Sequence, residues 1–159
     1  MVQLGATAEK LHRLGVETLA IMGSRVERVR FYLRHRSVPY PVGADPDLST
    51  HRAYGVPQSA VTPEIMQAID GVYASLAREL ALQVSEGNVR DVIGQLDGFQ
   101  KTESEAAEFE RHQVQFTGQF LIDRAGIVRW ANIECARDGL VSLGQMPSEE
   151  ELLTEARAL

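Results

Sequence analysis

Apolar residues recur at helical spacing at the start of the chain. Four of them lie three or four positions apart and so share one helix face: Leu4, Ala8, Leu11 and Leu14. Gly15 ends this pattern, and residues 16–22 then form a short apolar run between two glycines. Such a run is typical of a buried parallel strand, so the sequence predicts a helix followed by a strand.

A second helix is predicted after Gly23. Ser24 and Glu27 have the spacing of a capping box, in which each side chain accepts from an N–H group of the first turn. Four apolar residues give this helix one buried face: Val26, Val29, Tyr32 and Leu33. The alternation of helix and strand is typical of an α/β protein.

The segment VPYPV, residues 38–42, is predicted to be extended. Each proline biases the residue before it away from the α region, and two prolines suit an edge strand better than a central one. Asp45 is predicted to cap a short helix with Pro46 in its first position, and Gly55 ends that helix after Tyr54.

Residues 57–114 are predicted to form a helical block. Thr62 and Pro63 are a strong helix start, and an apolar stripe follows at Ile65, Ile69, Val72, Leu76 and Leu80. A shorter helix is predicted near residues 89–96, and residues 102–105 offer another capping box. The stripe has two interpretations: it covers a sheet within the monomer, or it forms the face of a homodimer.

The last third returns to strands. Two apolar runs, 116–122 and 127–133, are separated by Asp123-Arg124-Ala125-Gly126, which predicts a β-hairpin with a tight turn. Ser148 is predicted to cap a final helix that carries acidic residues in its first turn and faces Leu152, Leu153 and Ala156 inward.

Composition excludes some classes of protein. The 159 residues carry a net charge of −6, which argues against a nucleic-acid-binding protein, and the arginines between residues 25 and 36 spread around a helix as a solvated face does. No apolar run approaches the ~20 residues of a membrane span, and no signal peptide is evident. The single cysteine fits a reducing compartment, so we expect a cytoplasmic protein that does not bind membranes.

Three stretches of the chain resemble the AhpC/TSA peroxiredoxin-like (redoxin) family of the thioredoxin superfamily. They are LGVETLAIMGSRVERVRFYL, VPYPVGADPDLSTHRAYGV and GQFLIDRAGIVRWA, and PSEEELL is similar to the closing helix of the family. The resemblance implies an α/β protein with a thioredoxin-like fold, a mixed sheet flanked by helices. It implies a single domain over residues 1–159, with a helical insertion at about 57–114 before the C-terminal hairpin.

The resemblance also implies a chemistry. The family reduces peroxides or disulfides through a cysteine thiolate at the N-terminal end of the first helix, and a thiol reductant restores it. That helix is the one at Met1, and neither a cysteine nor a strand precedes it. The resemblance thus implies truncation before the active-site cysteine, and we expect an inactive chain. The alternative is a non-catalytic binding or regulatory module that kept the fold.

Two residues mark the site that the resemblance implies. Thr117 stands three residues before Phe120, where the family has a cis-proline or an arginine beside its active cysteine. Cys135, the only thiol, is a candidate redox or resolving cysteine, although a strand-end cysteine without a chemical role is the simpler interpretation. The four histidines show no ligand spacing, so no metal site and no cofactor is predicted.

The strand that precedes the first helix in the family is central in its sheet. It would lie between the strands at residues 16–22 and 116–122, so its loss would leave backbone N–H and C=O groups unpaired. Three explanations stay open: the polypeptide starts upstream of Met1, the two flanking strands pair directly, or a second chain supplies the strand.

Overall fold

The computed structural model describes residues 2–83, 89–95 and 103–159. Within these ranges the helices are α1 (Val2–Arg13), α2 (Val26–His35), α3 (Ser49–Ala53), α4 (Pro63–Glu79), α5 (Val89–Gln95), α6 (Glu103–His112) and α7 (Glu149–Ala156). The strands are β1 (Ala20–Met22), β2 (Val42–Ala44), β3 (Gln58–Ser59), β4 (Val114–Gln115), β5 (Gly118–Ile122) and β6 (Val128–Ile133), and a 3-10 helix spans Gly139–Ser142.

These strands form three two-stranded sheets. β1 and β2 are parallel with α2 as their crossover, whereas β3–β4 and β5–β6 are antiparallel. The predicted α/β class is therefore confirmed as a mixed α/β architecture with small sheets and several helices. No helix in the described ranges is both long enough and apolar enough to cross a membrane.

The chain divides into two compact units. The first contains residues 1–57, 117–133 and 146–159, and therefore β1, β2 and the β5–β6 hairpin. Its core joins three buried residues from two helices and one strand, Leu11, Leu121 and Ala156. Trp130 and Leu153 pack against that cluster, so α1 and α7 cover the hairpin together.

The second unit contains residues 58–116 and 134–145. It holds the predicted helical block, and its buried residues include Ile65 and Ala77 of α4. The predicted stripe is buried at Ile65, but Leu76 and Leu80 are 37% and 48% exposed. The 3-10 helix contacts α4, and a Cβ on Gly144 would lie 2.8 Å from Val72.

Several local predictions are confirmed. The Thr62 hydroxyl accepts from the N–H of Ile65 at the start of α4, and the Ser148 hydroxyl accepts from the N–H of Glu151 in α7. The hairpin turn also forms as predicted, with Gly126 at φ +79°. The predicted capping box at residues 102–105 begins at a position outside the described residues.

Three local predictions need correction. The strand predicted over residues 16–22 is only Ala20–Met22, because Val16 is tied to α1 by its N–H bond to the Leu11 carbonyl. The strand predicted at 38–42 begins only at Val42, after the two prolines that remove backbone donors. The N-cap predicted at Ser24 lies one residue too early, since Arg25 occupies the N-cap of α2 and makes no side-chain cap bond.

The predicted strands at 16–22 and 116–122 do not pair with each other. Among the described residues, β1 hydrogen-bonds only to β2, and β5 only to β6. The described residues therefore do not have the arrangement in which the two flanking strands pair directly. No described strand pairs with the second edge of β1 or with the second edge of β5.

Candidate functional site

Cys135 lies just after β6, in the second unit, and its backbone is in the left-handed region at φ +60°. The thiol is half-buried and forms no disulfide. Burial raises its pKa, the neighbouring charge of Glu134 raises it further, and the Ser142 hydroxyl lowers it by hydrogen bonding. A raised pKa keeps the sulfur protonated at neutral pH, whereas a nucleophilic cysteine needs a thiolate.

Thr117 is exposed and lies between β4 and β5. It belongs to the first unit, whereas Cys135 belongs to the second, so neither unit contains both predicted residues. Within the first unit, the ring of Phe120 packs 4.9 Å from that of Tyr54. These two aromatic residues come from two of the stretches that carry the resemblance, and the structure brings them into contact.

The first unit contains a buried carboxylate, Asp45, that accepts several hydrogen bonds. This carboxylate is only 6% exposed and stands at the carboxyl end of β2. It accepts hydrogen bonds from the Ser49 N–H at 2.9 Å, the Ser49 hydroxyl at 2.8 Å and the Thr50 N–H at 2.8 Å. Burial raises the pKa of Asp45, but these bonds outweigh that effect and hold it well below its usual range.

The Asp45 carboxylate thus caps α3, although not from the position that the sequence predicts. Pro46 lies outside the helix, and Leu48 is the N-cap residue, with φ +54° and only 2% exposure. The N–H of Asp45 also donates to the carbonyl of Met22 at 2.8 Å. One residue therefore ties the ends of β1, β2 and α3 together, and we call this group the Asp45 knot (Met22, Asp45, Leu48, Ser49 and Thr50).

His51 joins this group and was missed by the sequence reasoning. Its Nδ1 lies 3.5 Å from Asp45 Oδ2, and its side chain is 15% exposed. That distance permits an electrostatic contact but is long for a hydrogen bond, and Nδ1 has no hydrogen-bond partner among the described residues. The six-residue separation from Asp45 gives no periodic signal, so only the turn at Leu48 brings the two side chains together.

A cleft of about 410 Å³ runs between the last turns of α1 and the segment from Pro39 to Pro41. Its polar wall includes the exposed pair His12 and Glu17, with 2.9 Å between Nδ1 and Oε1. Thr18 also lines the cleft, and its hydroxyl oxygen is buried with no hydrogen-bond partner among the described residues. Acidic and basic side chains share these walls, so the lining does not select one charge of ligand.

No group of three or more His, Cys, Asp or Glu residues within the described ranges could hold a metal ion. No protein-family model, curated protein or solved structure matches the chain. The functional interpretation therefore depends on the chemistry of the chain itself and on the family resemblance of its sequence.

Proposed function

We propose that these residues form a thioredoxin-like domain of a peroxiredoxin-type thiol oxidoreductase. The observation that carries this proposal is the order of elements in the first unit. A helix leads to a parallel β1–α2–β2 unit, and an antiparallel hairpin and a closing helix complete the unit. This is the order that the resembled family implies for its shared core.

The packing of the same elements supports the proposal. α1 and α7, far apart in the sequence, contact each other and share the cluster of Leu11, Leu121 and Ala156 with the hairpin. Lys10 also pairs with Glu149 at 2.6 Å across the two helices. α2 instead contacts β2. The first and last helices thus pack against the β5–β6 sheet, and the crossover helix packs against the β1–β2 sheet.

The proposed chemistry is thiol-dependent reduction of a peroxide or a disulfide. A thiolate attacks the peroxide, the O–O bond breaks, an alcohol leaves and the sulfur becomes a sulfenic acid. Two equivalents of a thiol reductant then return the sulfur to the thiol and release water and a disulfide. The helix that would stabilise this thiolate is α1, because N–H groups at a helix N-terminus favour negative charge.

Cys135 is not assigned this role. It follows a strand rather than preceding a helix, and its raised pKa opposes thiolate formation. We therefore expect the 159 residues alone to show no thiol-dependent peroxide turnover, and Cys135→Ser to change nothing. Turnover that Cys135→Ser abolishes would overturn this assignment.

The decisive test lies in the coding DNA. The proposal requires in-frame codons before Met1 that encode a strand and a Cys-x-x-Cys or Thr-x-x-Cys motif. The polypeptide with those residues is expected to consume hydroperoxide with a thiol reductant, and its Cys→Ser variant is not. An in-frame stop codon directly before Met1 would contradict the proposal.

A non-catalytic binding or regulatory module is the second candidate. The half-buried Cys135 thiol with its raised pKa is compatible with this candidate, which needs no reactive thiol. The rate of Cys135 alkylation against pH measures this property directly. An apparent pKa below that of a free cysteine, about 8.5, would remove the support for this candidate.

A further inference from the structure

The cleft beside α1 is a site that the proposed thiol chemistry does not use. Its volume is about 410 Å³, and its walls are the last two turns of α1 and the segment from Pro39 to Pro41. The Ala20 N–H donates to the Pro41 carbonyl at 3.0 Å, so this segment lies on the β2 side of β1. A strand before Met1 would lie on the other side of β1. The cleft is therefore formed by residues 8–41 alone and is not the space that such a strand would fill.

The α1 wall of the cleft carries both signs of charge. Glu9 and Arg13 are exposed and stand four residues apart, and neither has an ion-pair partner among the described residues. Side chains at this spacing are neighbours, with about 5–6 Å between their Cβ atoms. A ligand that carries an ammonium and a carboxylate on one carbon is attracted by both residues, whereas an ion of one sign is repelled by one of them.

The opposite wall of the cleft is largely apolar. Pro39 and Pro41 line it beside Tyr40, and Ala8 lines the helix side. The two walls approach each other closely at one end, since a Cβ on Gly5 would lie 3.6 Å from Pro39 Cδ. An apolar ligand group that enters this space leaves water, which adds affinity. The apolar wall therefore favours a ligand with an apolar side chain.

Thr18 supplies an independent observation at the same cleft. Its hydroxyl oxygen is buried and has no hydrogen-bond partner within the described ranges. A buried hydroxyl without a partner costs free energy, and rotation about the Cα–Cβ bond exchanges the places of its hydroxyl and methyl groups. A ligand carboxylate in the cleft that accepts from this hydroxyl would offset the cost.

We propose that this cleft binds a free α-amino acid with an apolar side chain. The carboxylate of the ligand contacts Arg13 and accepts from the Thr18 hydroxyl, and its ammonium contacts Glu9. Its side chain lies against Pro39 and Pro41. This is a reversible binding activity that needs no thiol, so it stands or falls separately from the proposed oxidoreductase function.

The first test uses three ligands that share a phenyl ring and differ in charge: L-phenylalanine, phenethylamine and 3-phenylpropionate. Amide NMR signals of the 159-residue chain are followed during titration. Phenylalanine is expected to shift the signals of residues 8–18 and Tyr40 saturably, and each analogue with a single charge to bind at least about tenfold more weakly, or about 1.4 kcal/mol. Absence of saturable shifts at these residues, or equal binding of either analogue, would overturn the proposal.

Arg13→Gln tests how the ligand is oriented. The variant is expected to weaken the binding of phenylalanine and of 3-phenylpropionate about fivefold or more, and to leave the binding of phenethylamine unchanged. Arg157→Gln removes an exposed arginine of the same unit that does not line the cleft, and it is expected to leave all three affinities unchanged. Equal effects of the two variants would contradict the assigned orientation.

Thr18→Val separates a binding role from a structural one, because it removes the hydroxyl and keeps the shape of the side chain. We expect about fivefold weaker phenylalanine binding with an unchanged or higher midpoint of denaturant unfolding, since the hydroxyl has no partner to lose. Thr154→Val, at an exposed position in α7, is the matched control and should change neither quantity. A lower midpoint with unchanged affinity would overturn the role of Thr18.

Discussion

The two sheets of the first unit are built in opposite ways. The β5–β6 hairpin is antiparallel, joins neighbouring segments and pairs five residues of β5 with β6. The β1–β2 sheet is parallel, pairs only three residues and requires α2 to bring its strands together. Asp123 closes the hairpin by accepting from the N–H groups of Ala125 and Ile127 and by pairing with Arg129.

The difference shows how each sheet obtains its stability. The hairpin contains its own turn, register and charge pair, and it adds Leu121 to the main cluster. The parallel sheet is short, so its position depends on the Asp45 knot at one end and on α2 packed against β2. We therefore expect substitutions in the knot to cost more than substitutions in the hairpin turn.

The largest expected effect is that of Asp45→Ala. The change leaves two N–H groups and a hydroxyl at the start of α3 without their acceptor, and we expect a loss of about 3 kcal/mol in the free energy of unfolding. Denaturant unfolding measures it. Asp138→Ala, at an exposed aspartate without a cap bond, is the control and should change little. Equal losses in the two variants would show that the Asp45 hydrogen bonds contribute no more stability than an exposed aspartate does.

Gly23→Ala is expected to rank second. A Cβ at this position would overlap Leu48 Cδ2, and because Leu48 is only 2% exposed, its side chain has to shift within a buried environment. We expect a loss of about 2 kcal/mol. Gly71→Ala has open space around it within α4 and is expected to stabilise by about 0.5–1 kcal/mol. A neutral Gly23→Ala result would refute the tight packing of the knot.

The pH dependence of stability sharpens the comparison further. The pKa of Asp45 is lower in the folded chain than in the unfolded chain, where it is about 3.9. Its contribution is therefore present above about pH 4 and is lost as the pH falls through the folded value, at up to about 1.4 kcal/mol per pH unit. The free energy of unfolding, measured from pH 6 to pH 2, should fall more steeply for the natural chain than for Asp45→Asn. Parallel curves would contradict this.

The smallest expected effect is in the hairpin turn. Gly126 has φ +79° with open space around it, so Gly126→Ala introduces backbone strain but no clash. We expect a loss of about 1 kcal/mol, and Arg124→Ala in the same turn serves as the control. Hydrogen exchange should show weaker protection in β5–β6 and unchanged protection in β1–β2. A change of protection in both sheets would show that they are coupled.

The sequence predicts the local features well, because their causes are local. The Thr62 and Ser148 caps and the Gly126 turn each depend on contacts within five residues, and all three form. Strand lengths are predicted poorly, since apolarity at Val16 does not reveal that its N–H is used by α1. Pairing between distant strands depends on tertiary contacts that periodicity does not encode.

In the group around Asp45, too, the sequence predicts the local contact and misses the one that depends on tertiary structure. Asp45 is predicted as a cap from its residue type and its place before a helix. The contact with His51 is not, because it requires Leu48 to adopt a left-handed conformation that leucine rarely takes. The predicted residues Thr117 and Cys135 come from the resemblance, and the structure places them in different units.

The Asp45 knot also has a consequence for the order of folding. The hairpin needs only the five-residue connection from Asp123 to Ile127, and β-hairpins form within about 1–10 μs. The hydrogen bond between Asp45 and Met22 closes a loop that includes all of α2, so it carries a larger entropy cost and becomes favourable only after that helix exists. The parallel sheet is therefore expected to assemble after the hairpin. During refolding, protection of the Asp45 N–H from hydrogen exchange should appear later than protection of the backbone N–H groups around Trp130.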